Sequence, residues 1–526
     1  MNRRTFLKKI GAAGAAAGSL PLVGSLGSLG SCRTGRGRKQ PNILYIMSDD
    51  HAANAIGCYG SHLAGTVRTP NLDRLAAEGA RLSNCFCTNS ICAPSRATIL
   101  TGQYSHVNGV FTLHESLEPD HPNVAKELKK AGYQTAIFGK WHLKVDPSGF
   151  DDWNVLRGQG KYNNPLLRGK DSGEQEYPGY STDVVTDLSL DWLKARDPDR
   201  PFFLMCQFKA PHDRWNSAPR FDGLYEDVVI PEPETLLDDY KNRHSRAGEV
   251  WSTLERMVPD RYFPYIEESE LAGMGRDEIR RYVYQRFLKK YLRCAQAVDD
   301  NVGRLLDWLD QTGLAEDTVV VYTSDQGVFI GEHGLFDKRY MYEESLRMPF
   351  LIRYPREIDR GTVCEALIEN VDFAPLFLDY AGAGTPDFMQ GRSFRPLCRG
   401  ENLPDWRQAA YYRYWMHMSH FAIPAHYGIR TERYKLIYYY GESLGVPDTE
   451  YVRRWVEGSP KIEPATPEWE LFDLEKDPHE MKNVYGDPAY TNVVSQLKKL
   501  LLEKKKAVGD MDEAYPVLME QRKKYW

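Results

Sequence analysis

The sequence predicts an α/β fold, with a mixed, largely parallel sheet sandwiched by helices and a smaller C-terminal α+β subdomain that carries an antiparallel sheet. Two patterns indicate the first part: short unbroken apolar runs, and apolar residues at helical spacing between them. Near residue 400 this alternation gives way to tyrosine-rich stretches, which are typical here of antiparallel strands. We therefore expect a large domain over residues 41–400 and a subdomain over residues 401–526.

Four apolar runs predict the central strands, and each is followed closely by polar residues. A continuous apolar run is typical of a strand buried on both faces, as in a parallel sheet, whereas a half-exposed strand alternates. The runs are residues 43–47, 135–138, 202–205 and 318–322.

Two patterns between these runs predict helices that cover the sheet. Residues 71–78 follow Thr69 as a candidate N-cap and Pro70 in the first turn, and Gly79 ends the pattern. From about residue 278 to residue 309, apolar residues recur at helical spacing.

Composition excludes several classes of function. Lys and Arg number 67 against 73 Asp and Glu, which gives a net charge of -6, so no nucleic acid is expected as a partner. The nine cysteines are scattered without paired metal-ligand spacing, so we predict neither a disulfide framework nor a zinc site.

The N-terminus predicts export. Residues 2–9, NRRTFLKK, precede a weakly apolar Gly/Ala-rich stretch, a pattern typical of signals recognised by the twin-arginine export machinery. Gly, Ser and Pro interrupt the apolar run of about 18 residues that a membrane span needs. LGSC at residues 29–32 resembles a lipobox with Cys32 as the lipidated residue, and simple cleavage to a free periplasmic protein is the alternative. We expect an export signal over residues 1–32 and a flexible tether over residues 33–40.

This export places the protein in the periplasm or at the cell surface of a bacterium. A lipid anchor on Cys32 would be its one attachment to the membrane.

The polar residues behind the strands point to one binding site, because ligands of open α/β sheets bind outside the carboxyl ends of the strands. Two of these ends offer only hard oxygen donors, which suit Ca²⁺, with Mg²⁺ as the alternative. Crowded without a cation, such groups would repel each other or remain unpaired. They are Asp49, Asp50, Asp325 and Gln326.

Cationic and proton-carrying side chains accompany this cluster. Together they suit a tetrahedral anion, whose oxygens need fixed positive charge while a histidine exchanges a proton at a bridging oxygen. A helix that begins near Pro94 and Ser95 would add its N–H groups and Arg96 to the same field. The other residues concerned are Lys140, His142, His212 and Lys338.

One segment carries a specific signature. CAPSR at residues 92–96, followed by LTG at residues 100–102, resembles the motif of the type I, formylglycine-dependent sulfatases. The resemblance continues through GKWHL, SDQG and ELFDLEKDPHE, which begin at residues 139, 324 and 470. It covers essentially the whole chain beyond residue 40. It implies an alkaline phosphatase-like version of the predicted fold, with residues 41–400 as the catalytic domain.

The resemblance implies that the Cys92 thiol is not retained. In that family a formylglycine-generating maturation enzyme recognises the motif in the unfolded chain and oxidises the cysteine to Cα-formylglycine. The hydrate of this aldehyde attacks sulfur, and the divalent metal polarises one of its hydroxyls. The metal ligands implied for this chain are Asp49, Asp50, Asp325, Gln326 and the product of Cys92.

The resemblance also implies which residues transfer protons and which hold the anion. His212 would protonate the departing alcohol, and His142 would take the proton whose loss allows sulfate to leave. The residues that would hold the sulfate oxygens and the modified Cys92 are Arg96, Lys140 and Lys338.

Several positions in these segments depart from the family or have no assigned role. Gln326 stands where many relatives have Asn, but it offers the same donor oxygen, so we expect the metal to be retained. Lys144 stands where Gly is common, and nothing in the sequence explains it. For His51, His106 and His333 we expect structural roles.

The substrate prediction depends on the C-terminal part. Residues 336–355 and 426–437 look closest to the branch of sulfatases that removes the 6-O-sulfate of N-acetylglucosamine in glycosaminoglycans. In the family, a C-terminal subdomain closes over the active site, which favours exo action on sulfated oligosaccharides. The candidate substrate contacts are Arg413, Trp415, His417 and His426, and the alternative is that they are exposed sheet residues without a ligand.

Other functions remain open at this point. A uronate 2-O-sulfatase and an algal-polysaccharide sulfatase would share the chemistry and differ in the pocket. A phosphoester or phosphonate hydrolase of the same superfamily would use the same metal and basic residues. A catalytically inactive glycan-binding lipoprotein is the third class.

Overall fold

The computed structural model describes residues 40–257, 263, 265–419, 421–446 and 463–526 of the 526-residue chain. The expected export signal, including Cys32, and the tether up to residue 39 lie outside the described residues. Gln40–Trp526 form one compact unit, so the boundary expected near residue 400 falls within a single body. In the part of the chain that is described, no helix has the length and apolar character needed to cross a membrane.

The strands fall into one large sheet, two small ribbons and a C-terminal sheet. They are β1 (Asn42–Asp49), β2 (Ala80–Leu82), β3 (Cys85–Phe86), β4 (Gln134–Lys140), β5 (Asp152–Leu156), β6 (Leu166–Gly169), β7 (Gly173–Glu176), β8 (Phe202–Pro211), β9 (Thr318–Ser324), β10 (Phe329–Ile330), β11 (Phe336–Asp337), β12 (Phe350–Arg353), β13 (Thr362–Cys364), β14 (Ile368–Glu369), β15 (Ala409–Tyr414), β16 (His426–Thr431), β17 (Tyr434–Tyr439) and β18 (Glu468–Asp473).

The helices flank these sheets. They are α1 (Pro70–Ala77), α2 (Cys92–Thr101), α3 (Ser105–Asn108), α4 (Val124–Lys130), α5 (Ser181–Ala195), α6 (Arg276–Gln311), α7 (Glu343–Leu346), α8 (Phe373–Tyr380), α9 (Arg395–Cys398), α10 (Thr491–Val508) and α11 (Pro516–Tyr525).

The large sheet has ten strands in the order β13-β2-β12-β9-β1-β8-β4-β5-β6-β7. Its centre, from β9 to β5, is parallel, and antiparallel strands join it at both sides. The four predicted apolar runs lie in β1, β4, β8 and β9, and these strands are buried along nearly their whole length. The predicted mixed, largely parallel sheet is confirmed.

Helices cover both faces of this sheet, as the pattern of side chains along β1 shows. Ile43 and Tyr45 pack into one apolar cluster with residues of α2, α4 and α8, while Leu44 and Ile46 pack into another with residues of α1, α5 and α6. Because successive strand residues point to opposite faces, an unbroken apolar run fills both layers. The two predicted helices appear as α1 and α6.

The start of α1 differs from the expectation in one respect. Thr69 stands at the N-cap position, but its hydroxyl accepts a hydrogen bond from the Gly57 N–H instead of capping the helix. The Asp299 carboxylate on α6 accepts the N–H groups of Asn71 and Leu72. A contact with Asp299 on α6 thus replaces the local cap. The sequence around Thr69 does not encode this contact.

The C-terminal sheet is antiparallel, with the order β15-β16-β17-β18. It packs against α10 and α11 around aromatic residues such as Tyr427, Tyr438 and Trp469. Buried ion pairs join this sheet to α7, since Lys435 of β17 lies 2.9 Å from Glu343 and 2.7 Å from Glu480. The predicted α+β subdomain with an antiparallel sheet is confirmed.

Candidate active site

The carboxyl ends of four neighbouring strands form the floor of the site. β9, β1, β8 and β4 are adjacent and parallel, so their ends meet at one edge of the sheet. Asp49 and Lys140 are the last residues of β1 and β4, while His212 and Asp325 directly follow β8 and β9. The register thus places side chains together that are up to 276 residues apart in sequence.

Three buried carboxylates form the core of the site. Asp49, Asp50 and Asp325 each offer an oxygen within 4.8 Å of the others. Asp50 has φ of 62°, and His142, which follows β4, has φ of 61°. Non-glycine residues adopt this left-handed conformation at a cost, and such positions cluster at functional sites.

Three buried cations pair with these carboxylates. Arg96 Nε donates to Asp325 Oδ2 at 3.0 Å, and Lys338 Nζ donates to both oxygens of Asp50 at 2.6 Å. Lys140 Nζ donates to Asp49 Oδ2. Burial opposes the charge of Lys338, but Asp50, Cys92, Asp337 and Asp325 together outweigh it and raise the lysine pKa above the usual range. Burial also lowers the pKa of Lys140, and the nearby Lys209 adds to this.

The donor set fits a divalent cation. Asp49 Oδ1 and Gln326 Oε1 are buried, and neither accepts a hydrogen bond from any residue that the structure describes. Buried oxygens without a partner are costly, and a hard cation satisfies them. Gln326 Nε2 donates to Asp50 Oδ1, so its amide group is held at the carboxylate cluster. The predicted ligands therefore lie together, and two of them, Asp49 and Gln326, keep a buried oxygen that accepts no hydrogen bond.

Cys92 is the first residue of α2 and lies beside this cluster. Its Sγ is 3.9 Å from Gln326 Nε2, and it groups with Asp49 and His212 within 4.8 Å. Ser95, one turn into the helix, donates to the Asp325 carbonyl and accepts a hydrogen bond from Asn370 at 2.9 Å. These contacts fix the start of α2 against β9. Burial raises the pKa of the Cys92 thiol to about 12, although Lys338 lowers it.

The two predicted proton carriers occupy different environments. His212 Nδ1 contacts the Asp213 carboxylate and lies 2.9 Å from its carbonyl oxygen, while Nε2 is 3.6 Å from Asp50 Oδ2. Burial lowers the pKa of His212, and the Asp213 charge opposes this. Burial also lowers the pKa of His142, and Lys140 and Arg96 lower it further. Burial therefore disfavours the charged form of both imidazoles, while the Asp213 charge favours a His212 ring that is protonated on both nitrogens.

A cavity of about 510 Å³ opens onto this cluster. Its volume lies within the range of about 300–1,000 Å³ that is usual for small-molecule sites. Cys92, His212 and Lys338 line it together with the polar residues Gln159, Lys161, Asn163, Lys209, Asp213, Arg214, Asn216, Asp337 and Arg339. The cavity thus combines the sulfur of Cys92, a histidine and several cations.

Several lining residues were not identified from the sequence, among them Gln159, Lys209 and Asp213. Gln159 Oε1 accepts a hydrogen bond from Lys140 Nζ at 2.6 Å, and Lys209 Nζ donates to the Asp213 carbonyl at 2.9 Å. Asp213 directly follows His212, so its position was a signal that could have identified it. Gln159 lies in the loop between β5 and β6, and no pattern in the sequence marks it.

The four C-terminal substrate candidates lie elsewhere. In the part of the chain that the structure describes, none of these four residues lines the 510 Å³ cavity. Each is at most 3% exposed to solvent. Arg413 pairs with Asp510 and lies 3.6 Å from the Trp415 ring, and His417 contacts the Glu463 carbonyl at 2.8 Å. His426 packs among aromatic rings of the C-terminal sheet. Helices α10 and α11 cover one face of this sheet, and the other face packs against the segment around Tyr340, so both faces fill a core. This placement does not favour the expected substrate contacts.

The other histidines of the family-like segments contact protein groups. His51 Nδ1 lies 2.5 Å from the Tyr322 hydroxyl, His106 Nε2 lies 2.8 Å from the Val508 carbonyl, and His333 Nδ1 lies 2.9 Å from Asp238 Oδ2. These contacts are those of structural residues, as expected. Lys144 donates to the His114 carbonyl, and this contact gives no reason for its replacement of glycine.

Comparisons with known proteins show likeness along most of the chain. The family described as Sulfatase matches residues 41–383, and the family described as N-sulphoglucosamine sulphohydrolase, C-terminal, matches residues 331–446 and 463–507. An N-acetylglucosamine-6-O-sulfatase of Bacteroides thetaiotaomicron is 39% identical, with 94% of this chain and 91% of that protein aligned. The human N-acetylglucosamine-6-sulfatase is 29% identical, with 74% of this chain and 69% of that protein aligned.

Solved structures show the same likeness in three dimensions. One is described as a complex with its substrate D-glucosamine-2-N,6-O-disulfate. It has a TM-score of 0.80 and 38% identity, and it covers 91% of this chain and 100% of its own. The likeness therefore spans both the ten-stranded sheet and the C-terminal sheet.

Proposed function

The chain belongs to the sulfatase family and is a sulfuric ester hydrolase, and from this premise we propose that it removes the 6-O-sulfate of N-acetylglucosamine from the ends of sulfated glycosaminoglycan oligosaccharides. One observation carries the chemistry: Cys92 lies at the floor of a cavity beside three carboxylates and three cations. The substrate is supported by similarity to an N-acetylglucosamine-6-O-sulfatase over nearly the whole chain. The volume of the cavity, about 510 Å³, is that of a small-molecule site, which supports a sugar at a chain end as the bound part.

The proposal includes two groups that the chain must acquire. Cys92, converted by a formylglycine-generating enzyme to Cα-formylglycine, would supply the hydrated aldehyde that attacks sulfur. A divalent cation, Ca²⁺ or Mg²⁺, would polarise oxygen atoms at the same place and stabilise developing negative charge. The residues that would hold it are Asp49, Asp50, Asp325 and Gln326, together with the modified Cys92. A cation at this place would satisfy the buried oxygens of Asp49 and Gln326, which accept no hydrogen bond.

The remaining residues bind the sulfate and transfer protons. Lys338, Lys140 and Arg96 supply fixed positive charge in a buried setting, where it is worth more than in water. His212 donates a proton from Nε2 to the oxygen of the departing sugar, while Asp213 holds Nδ1. His142, kept neutral by burial and neighbouring cations, accepts the proton that is released as sulfate leaves.

The setting of the reaction follows from the N-terminal pattern. We propose that the twin-arginine machinery exports the chain to the periplasm or cell surface of a bacterium, where residues 33–40 tether it if Cys32 is lipidated. Fractionation of cells, with mass spectrometry of the mature N-terminus, tests this.

A panel of purified sugars tests the substrate. We expect sulfate release from 6-O-sulfated N-acetylglucosamine to exceed release from its 3-O-sulfated isomer, from 2-O-sulfated uronides and from internal sulfates of intact polymers. Aryl phosphate, offered beside aryl sulfate, should be the poorer ester. Preference for a uronide would contradict the sugar assignment, and preference for the phosphate would contradict the sulfate chemistry itself.

A further inference from the structure

We propose that the mouth of the cavity binds a second negative charge on the substrate through Lys161 and Arg214. The ligand class is a 6-O-sulfated amino sugar with another anionic group within reach, either an N-sulfate on the same sugar or the carboxylate of a neighbouring uronate. This inference rests on the proposed function and deepens it, because it concerns the part of the substrate that does not react.

Position is the first observation. Lys161 lies in the loop between β5 and β6, and Arg214 lies in the loop that follows β8. Both line the cavity that also contains Cys92 and His212, and both side chains are exposed to solvent. They therefore lie at the mouth of the same cavity whose floor carries the nucleophile.

Charge pairing is the second observation. On the floor, Arg96, Lys140 and Lys338 each contact a carboxylate. On the walls, His212 contacts Asp213, and Arg339 lies 2.7 Å from Asp337. The cations on the floor and walls that would bind a single sulfate ester are therefore already paired with carboxylates of the protein.

Lys161 and Arg214 differ from these residues. Within the part of the chain that the structure describes, neither makes a hydrogen bond or an ion pair with any side chain. Neighbouring exposed arginines do pair: Arg157 lies 3.3 Å from Glu174, and Arg168 lies 2.8 Å from Asp146. The two cations at the mouth are thus left without a partner in a region where acidic partners are at hand.

The electrostatic consequence is a local positive field on a chain with a net charge of -6. A cleft with walls of low dielectric focuses such a field and favours a ligand of opposite charge. A substrate with one negative charge binds only the cations of the floor. A substrate with two negative charges also gains electrostatic binding energy from Lys161 and Arg214 at the mouth. The structure therefore favours doubly charged amino sugars over singly charged ones.

The test compares three substrates: 6-O-sulfated N-acetylglucosamine, glucosamine 2-N,6-O-disulfate, and a disaccharide of 6-O-sulfated N-acetylglucosamine and a uronate. The variants are Lys161→Gln/Arg214→Gln and the charge-preserving Lys161→Arg/Arg214→Lys. Lys130→Gln is the control, an exposed lysine of α4 that does not line the cavity. Thermal unfolding of each variant checks that it is folded.

In the double Gln variant we expect kcat/KM for a doubly charged substrate, relative to the singly charged one, to fall about fivefold, as loss of two exposed ion pairs predicts. The charge-preserving variant and the control should keep the wild-type ratio. In about 1 M NaCl, where the Debye length is about 3 Å, the wild-type preference itself should disappear. A fall with the disulfate assigns the N-sulfate as the second charge, and a fall with the disaccharide assigns the uronate.

Two results would overturn the inference, and they differ in what they leave standing. An unchanged ratio for both doubly charged substrates would show that the mouth binds no second charge, while sulfate release from the singly charged sugar would keep the proposed function. Failure of the wild-type protein to release sulfate from any of the three sugars would remove both.

Discussion

Replacing His212 with alanine should lower the activity on natural sugar sulfates far more than the activity on activated aryl sulfates. His212 contacts Asp213 through Nδ1, so Nε2 is the nitrogen that is available to a substrate in the cavity. A ring nitrogen of His212, Cys92 Sγ and a carboxylate oxygen of Asp49 lie within 4.8 Å of one another. A sugar alkoxide leaves poorly unless it is protonated, whereas an aryl oxide leaves readily without help. The variant should therefore retain aryl sulfatase activity and lose sugar sulfatase activity.

The size of the effect follows from the role. General acid catalysis contributes about 10²–10⁴-fold, so we expect kcat for 6-O-sulfated N-acetylglucosamine to fall by about 10³ and kcat for an aryl sulfate by less than about 10. Asp213→Asn, which keeps the shape but removes the charge that orients His212, should cost about 10–100-fold on the sugar. His479→Ala, an exposed histidine outside the cavity, is the matched control. Equal losses of His212→Ala on both substrates would refute its role as the acid.

Three further predictions follow from the same structure. Exhaustive chelation should abolish turnover and should remove a divalent ion detectable by elemental analysis, because the buried oxygens of Asp49 and Gln326 that accept no hydrogen bond would lose the cation that satisfies them; full activity of metal-free protein would contradict this. Asp510→Asn should lower the free energy of unfolding in urea by about 3–5 kcal/mol, since it leaves the Arg413 charge buried and unpaired. Arg413 holds the Asp510 pKa below its usual range despite burial. The contribution of this pair to the free energy of unfolding is therefore full at neutral pH and should decline as the pH falls below about 4. A urea unfolding midpoint that does not change with pH below about 4 would exclude this contribution.

The sequence predicted those features that depend on a local pattern. An apolar run followed by polar residues is enough to place Asp49 and Lys140 at strand ends, and parallel pairing then brings the ends together. The predicted site is accordingly assembled at one edge of the sheet. The length of α6 was also accessible, because its apolar stripe is continuous from Tyr284 to Leu309.

Features that depend on packing between distant segments could not be predicted. Trp415 and His426 lie in a tyrosine-rich stretch in which exposed sheet residues were the open alternative, yet both are buried. His426 packs against Tyr340 and Tyr439, a contact that the local pattern does not encode. Lys161 and Arg214 lie in loops, whose course is set by the elements that they connect and not by their own pattern. The capping of α1 by Asp299 is similarly a contact across 227 residues.

The chemical state of Cys92 tests the central claim most directly. Peptide mass spectrometry of purified, active protein should find the aldehyde or its hydrate at this position, and the modified fraction should rise and fall in proportion to kcat when maturation is limited. A Cys92→Ala variant should remain folded and turn over nothing, because the nucleophile is absent. Fully active protein in which residue 92 is found only as an unmodified thiol would contradict the account.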